Sequence, residues 1–201
     1  HNVFDIRRRG IRIGDTITVQ RAGDVIPEIA YRSTLVPRKT YLDNFKMPSF
    51  CPCCDAPLKR PKGEAVYYCI NLFCPERILG GLVHFVSRQC MDIKGLGEET
   101  LRNLVESNKV HKWFDLYRLT EAELVNDGKM APSNASKVML EIEKSKKVEF
   151  HRFIHGLGIP NVGAGTSKRI AAVVKPHELP SNTHKLEGVP DIGEITINSI
   201  R

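Results

Sequence analysis

The stretch Cys51-Pro52-Cys53-Cys54 is followed, after fourteen residues, by Cys69-Ile70-Asn71-Leu72-Phe73-Cys74. Two close cysteine pairs on either side of a hairpin-sized insert can place four thiolates around one Zn²⁺, which is the closed arrangement of structural zinc sites. Cys51 and Cys54 have the two-residue gap that lets both sulfurs face one ion. The predicted zinc ligands are therefore Cys51, Cys54, Cys69 and Cys74. Two disulfides in a secreted domain are the alternative, and the spacing favours zinc.

The insert between the cysteine pairs is predicted to be a small hairpin. Lys62-Gly63 is typical of a turn, and residues 65–68 are typical of a strand that leads into the second pair. Two cysteines are left over, Cys53 and Cys90. We expect both to be free thiols, which favours a reducing compartment.

The composition is that of a globular protein with a basic excess. The chain has 201 residues, 41% of them hydrophobic, and a formal net charge of +7 at pH 7. This charge favours a polyanionic partner. An acidic membrane surface is the weaker alternative, because no predicted helix is basic on one face and bulky-apolar on the other. No run of eighteen apolar residues and no signal peptide is visible, and a chain that begins at His1 is expected to be part of a longer protein.

Residues 1–45 are predicted to be β-structure. Apolar residues alternate at Ile11 and Ile13, then, after a turn predicted at Gly14-Asp15, at Ile17 and Val19, and in a third run that starts at Val25. This pattern predicts two or three antiparallel strands. So few strands cannot close a barrel, so we expect the rest of this β-domain to lie upstream of His1.

From Ile78 onwards the apolar period changes to 3.6, which predicts amphipathic helices packed into a bundle. Thr120 and Glu123 are spaced as a helix capping box. The positions predicted to share helical faces are Ile78, Leu82, Phe85 and Val86; Leu101, Leu104 and Val105; Ala135, Val138, Met139 and Ile142; Phe150, Phe153, Ile154 and Leu157; and Ile170, Val173 and Val174.

The helical part also repeats. Gly97, Ala131, Gly163 and Gly193 are spaced by 34, 32 and 30 residues, and each precedes a predicted helix. Glycine lets the backbone turn tightly, and the amides of the next helix can then bind a DNA phosphate without reading the bases. The alternative is that these glycines only form turns and helix caps. The Cβ of Ala131 should crowd a phosphate, so the second hairpin is expected to be mainly structural.

Two further groups of polar residues are interpreted as surface residues rather than as binding sites. Lys144, Lys146 and Lys147 could follow a DNA backbone, but a run of charges is more often a solvated helix face. His151 and His155 stand at ligand spacing on one helix face. Without a nearby acid, and with a four-sulfur site available elsewhere, both are expected to be surface residues.

Five segments together resemble the C-terminal half of a bacterial NAD⁺-dependent DNA ligase, over nearly the whole chain. The most specific are the string Arg21-Ala22-Gly23-Asp24-Val25-Ile26-Pro27 and the four cysteines. The others are Arg12-Ile13-Gly14-Asp15-Thr16, His84-Phe85-Val86-Ser87-Arg88 and Met91-Asp92-Ile93-Lys94-Gly95-Leu96-Gly97. Ala131 and Pro75-Glu76-Arg77 depart from the family pattern, and we expect such departures to affect DNA affinity.

The resemblance implies a multidomain α+β chain. Residues 1–45 would be the C-terminal part of an OB-fold domain, residues 46–77 a zinc finger, and residues 78–201 an all-α helix-hairpin-helix domain with four units, the last incomplete. In that family these modules wrap nicked double-stranded DNA, while an upstream nucleotidyltransferase domain uses NAD⁺ and Mg²⁺ to seal the nick in replication and repair. A monomeric, cytoplasmic and nucleoid-associated protein is implied as well.

The resemblance also implies which residues contact DNA. Arg21 would grip a phosphate, and Val25 and Ile26 would lie against the minor groove. The hairpin residues implied in backbone contacts are Lys94, Gly95, Gly97, Gly163, Gly165 and Gly193.

No catalytic residue is expected in this chain. The family uses a lysine two residues before Asp-Gly, and Val125 holds that place before Asp127-Gly128. We therefore expect the adenylation site upstream and a fragment that is not catalytic alone. The alternative is a non-catalytic zinc and helix-hairpin-helix DNA-binding adaptor derived from a ligase, which the coding sequence immediately upstream would distinguish.

Overall fold

The computed structural model describes residues 3–23, 26–35, 45–179 and 181–201. The chain divides into two compact units, residues 1–71 and residues 72–201. None of the helices in the described ranges is both long enough and apolar enough to cross a membrane.

The first unit begins with a short helix, α1 (Val3–Arg8), and an antiparallel pair, β1 (Ile17–Ala22) and β2 (Ile26–Arg32). The register pairs Ile17 with Arg32 and Ala22 with Ile26, and it shifts at a bulge between Thr18 and Val19. A second, two-residue pair joins β3 (Leu58–Lys59) to β4 (Tyr68–Cys69).

Two of the predicted two or three strands form, and the turn predicted at Gly14-Asp15 is confirmed, but Ile11 and Ile13 do not lie in a strand. The amide of Arg12 donates to the Asp15 carboxylate at 2.8 Å, and Gly14 has a φ of 88° that an extended strand excludes. Helix α1 was not predicted. It has little apolar periodicity and is supported by ion pairs from Arg8 and Arg9 to Asp5.

The strand predicted over residues 65–68 is shorter than expected, because only Tyr68 and Cys69 pair with the opposite strand. The predicted turn at Lys62-Gly63 is confirmed, and Gly63 adopts a φ of 89°. The insert is therefore a minimal hairpin whose second strand ends at a cysteine.

The second unit is helical, as predicted. Its α-helices are α2 (Pro75–Val86), α3 (Glu98–Glu106), α4 (Glu121–Asn126), α5 (Pro132–Ser145), α6 (Phe150–Gly156), α7 (Ala164–Val173) and α8 (Glu194–Ile200). Short 3₁₀ helices cover Trp113–Arg118, Pro176–Glu178 and Thr183–Leu186. Pro75 and Pro132 open their helices, where a missing N–H costs nothing. The predicted capping box is confirmed, since the Glu123 amide donates to Thr120 Oγ1.

Two apolar clusters form the core of this unit. The first joins α2, α3, α4, α5 and the 3₁₀ helix Trp113–Arg118, and it includes Phe85, which stacks on Trp113 at 5.5 Å. The second joins α6, α7 and α8 around Ile154, Ile170 and Leu186. The predicted helical faces are buried or half-buried except at Val173, which is exposed because α7 ends there and Val174 enters the core instead.

Candidate metal centre and nucleic-acid interface

Four cysteine thiols converge at the end of the insert. The sulfur atoms of Cys51, Cys54, Cys69 and Cys74 all lie within 4.8 Å of one another. Cys54 Sγ and Cys69 Sγ are 3.5 Å apart, close to the spacing of about 3.8 Å that a tetrahedral site with Zn–S bonds of about 2.3 Å requires. The donor set and its closed geometry fit Zn²⁺, while Cys53 is exposed and outside the group.

The local backbone explains why these thiols meet. The Cys51 amide donates to the Ala56 carbonyl at 2.7 Å and the Asp55 amide to the Cys51 carbonyl at 2.9 Å, so the chain reverses within five residues. Asp55 adopts a left-handed φ of 55° at this reversal. The turn directs Cys51 and Cys54 to one side and leaves Cys53 on the other.

The second cysteine pair is fixed by regular structure. Cys69 ends β4, and Cys74 is the N-cap of α2. The Ile78 amide donates to the Cys74 carbonyl at 3.0 Å, which starts the helix. A four-thiolate zinc centre has a net negative charge, and the positive end of the α2 dipole stabilises that charge at Cys74.

The predicted contacts in the first unit lie at one end of the β1–β2 hairpin. Arg21 is exposed on β1 and pairs with Pro27, the neighbour of Ile26. The Ile26 side chain is 67% exposed, which leaves it accessible to a partner. Val25 lies outside the described residues.

The four predicted hairpins share a backbone pattern that the sequence spacing did not reveal. Gly97, Ala131, Gly163 and Gly193 are each the N-cap of a helix, with extended φ and ψ angles. The residue two positions before each N-cap has a positive φ; these residues are Gly95, Lys129, Asn161 and Asp191. A buried or half-buried apolar residue stands between, namely Leu96, Met130, Val162 and Ile192. The loops are thus equivalent turns.

The space around the glycine N-caps is open. A Cβ added to Gly97, Gly163 or Gly193 would meet no atom within 4 Å, and the same holds at Gly165. A ligand can therefore reach the amides of the following first turn closely. At the second hairpin the exposed Ala131 places its Cβ in this position.

The hairpins differ in charge. The first turn of α3 contains Glu98 and Glu99, and the first turn of α8 contains Glu194, whereas the first turn of α7 has no acidic residue. Carboxylates next to the helix N-terminus compete with an incoming anion. The first turn of α5 also lacks an acidic residue, so among the three glycine hairpins the N-terminus of α7 has the most favourable electrostatics for an anion.

Two lysines beside the second hairpin were not among the predicted DNA contacts. Exposed Lys129 and Lys137 share with Lys94 a groove of about 600 Å³ that also contains Asn134 and Glu141. No sequence pattern marks them as a group, because they are separated in sequence and meet only when α5 packs beside the first hairpin. By contrast, Lys144 and Lys146 pair with glutamates of their own helix, as on a solvated face.

His155 is more enclosed than the predicted surface residue, because it is half-buried. Its ring contacts His84 edge-on, with 4.9 Å between centroids, and its Nδ1 atom is buried. The cause is tertiary, because α6 packs against α2 and brings two histidines together from distant parts of the chain. His151 on the same helix lies 3.8 Å from the Glu149 carboxylate.

Comparison with known proteins agrees with this arrangement. Residues 1–39 match the model of the NAD-dependent DNA ligase OB-fold domain, and residues 50–75 match that of the NAD-dependent DNA ligase C4 zinc finger domain. Relatives named DNA ligase from two strains of Acidithiobacillus ferrooxidans are each 37% identical over 203 residues, covering all of this chain. The chain spans 30% of the length of these curated relatives. The predicted resemblance to the NAD⁺-dependent DNA ligases is confirmed.

Proposed function

We propose, on the premise that this chain contains OB-fold and C4 zinc finger segments similar to those of NAD-dependent DNA ligases, that it is the part of such an enzyme that holds nicked double-stranded DNA. The full-length protein would seal nicks in replication and repair. An upstream nucleotidyltransferase domain would use NAD⁺ and Mg²⁺, and this chain alone would not be catalytic. The single observation that carries the proposal is the convergence of four cysteines within the matched zinc finger segment.

The proposed organisation has three parts: residues 1–45 as the C-terminal part of an OB-fold domain, residues 46–77 as the zinc finger and residues 78–201 as the helix-hairpin-helix domain. The recurrence of a left-handed residue, an apolar residue and an extended N-cap supports four equivalent hairpin units. We further propose a monomer in the cytoplasm, associated with the nucleoid.

Cys51, Cys54, Cys69 and Cys74 would hold one Zn²⁺. The ion would be structural, because four protein ligands leave no open position for a substrate or water. Its binding would fix the turn after Cys51 relative to the N-terminus of α2, and thereby order a segment whose hairpin has only two residues in each strand.

DNA would be held mainly through its phosphates. The amides at the first turn of a hairpin helix would donate to phosphate oxygens, helped by the helix dipole and by the absence of a Cβ at the N-cap. Among the three glycine hairpins, the one at Gly163 would contribute most, since α7 begins without acidic residues and has Lys168 and Arg169 exposed farther along. Arg21, Val25 and Ile26 would contact the duplex near the nick. Contacts to phosphates make the binding independent of sequence.

Binding of the chain to a labelled nicked duplex tests this proposal. Fluorescence anisotropy at increasing salt should show the logarithm of the affinity falling linearly with the logarithm of the salt concentration, by about 0.9 per phosphate contact. Two duplexes of unrelated sequence should give the same slope and similar affinities. Affinity that is insensitive to salt, or that depends strongly on sequence, would contradict phosphate binding.

Hairpin variants locate the contacts within the same measurement. Gly163→Val should weaken binding by about 1–2 kcal/mol, because a side chain would displace the phosphate. Gly97→Val should cost less, since Glu98 and Glu99 already weaken that site. Ala131→Gly is the matched control and should leave binding unchanged or tighten it. Extended N-cap angles accept valine, so unchanged thermal melting should accompany these effects. If folded Gly163→Val bound the nicked duplex as tightly as the parent, the hairpins would only connect helices and would not bind phosphate.

A further inference from the structure

A second group of metal-binding side chains lies away from the four-thiol site, inside the helical unit. His84 is on α2, Cys90 follows the end of that helix, and His155 is on α6. One ring nitrogen of each histidine and the sulfur of Cys90 all lie within 4.8 Å of one another. Cys90 is fully buried, whereas the two histidines are half-buried.

The backbone holds this group firmly. The Cys90 amide donates to the Ser87 carbonyl at 3.0 Å and the next amide, of Met91, to the Phe85 carbonyl at 3.0 Å, which fixes the turn that carries the thiol. On the opposite side, a Cβ at Gly156 would lie 3.3 Å from Cys90 Cβ and 3.1 Å from a Phe85 ring carbon. The missing side chain at Gly156 therefore lets α6 approach Cys90 and brings the neighbouring His155 to His84.

One ring nitrogen of this group lacks a hydrogen-bond partner among the described residues. His84 Nε2 donates to the His155 carbonyl at 2.8 Å and lies 3.7 Å from Cys90 Sγ. His155 Nδ1 is buried, and it has no hydrogen-bond partner within the part of the chain that the structure describes. Buried polar atoms are almost always satisfied, so an unpartnered imidazole nitrogen beside a thiol and a second imidazole indicates a missing ligand.

We propose that His84, Cys90 and His155 form a second Zn²⁺ site. A thiolate with two imidazoles suits Zn²⁺, which accepts both nitrogen and sulfur. Bonds of about 2.0–2.1 Å to nitrogen and about 2.3 Å to sulfur place the ligand atoms about 3.3–3.6 Å apart. The 3.7 Å between His84 Nε2 and Cys90 Sγ is only slightly longer than this, and a small rotation of the His155 ring would close the remaining distances.

Zinc binding would displace two protons from their present positions. Zn²⁺ would replace the proton of the Cys90 thiol, which is released to solvent. The ion would also replace the proton on His84 Nε2, which moves to Nδ1 as the ring changes tautomer. The His155 carbonyl then loses its donor and would accept a hydrogen bond from the water that completes the tetrahedral coordination. The site would tie α6 to α2 and stabilise their packing by an amount that rises with the logarithm of the free zinc concentration once this exceeds the dissociation constant.

Metal titration of the whole chain tests this proposal independently of DNA binding. Protein that contains one Zn²⁺ is titrated with Co²⁺, and zinc content is measured before and after to show that the four-thiol site has not exchanged. We expect one further equivalent of Co²⁺, with a thiolate charge-transfer band and the visible bands of a tetrahedral ion. The absence of a second equivalent, or a second equivalent without thiolate absorption, would overturn the proposal and favour a buried water beside His155 Nδ1.

Three variants assign the ligands. Cys90→Ala should lose the charge-transfer band and the second equivalent, and His155→Gln should weaken the second binding event at least tenfold. Cys53→Ser, at an exposed cysteine outside both groups, is the matched control and should behave as the parent. If circular dichroism shows that Cys90→Ala does not fold, the ligand assignment is tested by His155→Gln and by the Co²⁺ stoichiometry of the parent. Unchanged Co²⁺ binding in folded Cys90→Ala or His155→Gln would also overturn the assignment.

Discussion

Gly95 and Gly97 stand two residues apart before α3, and the backbone uses them differently. Gly95 has a φ of 84°, and a Cβ there would lie 2.9 Å from Val138 Cγ2. Gly97 has an ordinary φ of −80° and open space where its Cβ would be. Gly95 therefore serves the packing of α5 against the first hairpin, whereas the fold places no demand on Gly97.

This difference predicts that replacement by alanine destabilises the fold at Gly95 but not at Gly97. Gly95→Ala should lower the free energy of unfolding by about 1–3 kcal/mol, because it adds backbone strain and a close contact with Val138. Gly97→Ala should leave that free energy unchanged within about 0.5 kcal/mol. Urea denaturation followed by circular dichroism measures both. Equal stability of the two variants would mean that the left-handed turn relaxes without cost.

The zinc ligands can be assigned at the same scale. Cys51→Ser should abolish the zinc of the four-thiol site, since it removes one buried donor from the closed group. Cys53→Ser is matched to it in chemistry and sequence position and should retain that zinc. Elemental analysis of protein purified with a limited zinc supply provides the measurement. Zinc lost from Cys53→Ser but kept by Cys51→Ser would reverse the assignment.

At the scale of elements, Glu178 joins two short 3₁₀ helices. Its carboxylate accepts a hydrogen bond from the Lys175 amide at 2.7 Å and pairs with the Lys185 ammonium group. The Lys175 amide and then Lys185 stabilise the charged form, which lowers the pKa of Glu178 from 4.5 to about 2. Residues 175–186 thus depend on an ionised glutamate for the link between Pro176–Glu178 and Thr183–Leu186.

The sign of the resulting pH dependence follows from that shift. Because the folded-state pKa is depressed, the stabilisation is fully present above about pH 4.5 and is lost as the pH falls towards 2. Glu178→Gln should be less stable than the parent at neutral pH, and the difference in melting temperature should shrink below about pH 4.5. Thermal melting from neutral pH to about 3 tests this, with exposed Glu187→Gln as control. A constant difference across that range would show that ionisation of Glu178 does not contribute.

At the scale of the whole molecule, stability has two unlike sources. The helical unit is organised by two apolar clusters around residues such as Phe85 and Ile154. The segment around the four cysteines has hairpin strands of two residues each and exposes Leu72 and Phe73 at 71% and 77%. So little burial cannot stabilise a fold alone, so this segment should depend on its metal.

Chelation should therefore unfold one segment and spare the rest. Removal of zinc with a strong chelator should abolish amide-exchange protection over residues 48–78, while amides of core residues such as Leu104 and Ile142 remain protected. Hydrogen exchange read by mass spectrometry resolves these regions, and readdition of Zn²⁺ is the control for reversibility. Loss of protection throughout α3 and α5, or no loss at residues 48–78, would contradict this division.

Features that depend on a local pattern could be predicted from the amino-acid sequence. The cysteine spacing identified the four thiols that converge, because a turn and a short hairpin span the distance without help from the rest of the chain. The 3.6-residue period identified the buried faces of the helices, since apolar side chains must leave water. The Thr120 capping box was also visible, because both partners lie within one turn.

Features that need distant segments to meet became visible only in the folded chain. Three-dimensional packing distinguished Gly95 from Gly97, placed Lys129 and Lys137 near Lys94, and brought His155 against His84. Sequence pattern could not show these contacts, because each depends on the angle and distance at which two helices pack. At residues 11–15 the predicted turn at Gly14-Asp15 forms, but no strand precedes it. The apolar alternation of Ile11 and Ile13 is strand-like, whereas the hydrogen bond from the Arg12 amide to the Asp15 carboxylate and the positive φ of Gly14 favour the turn.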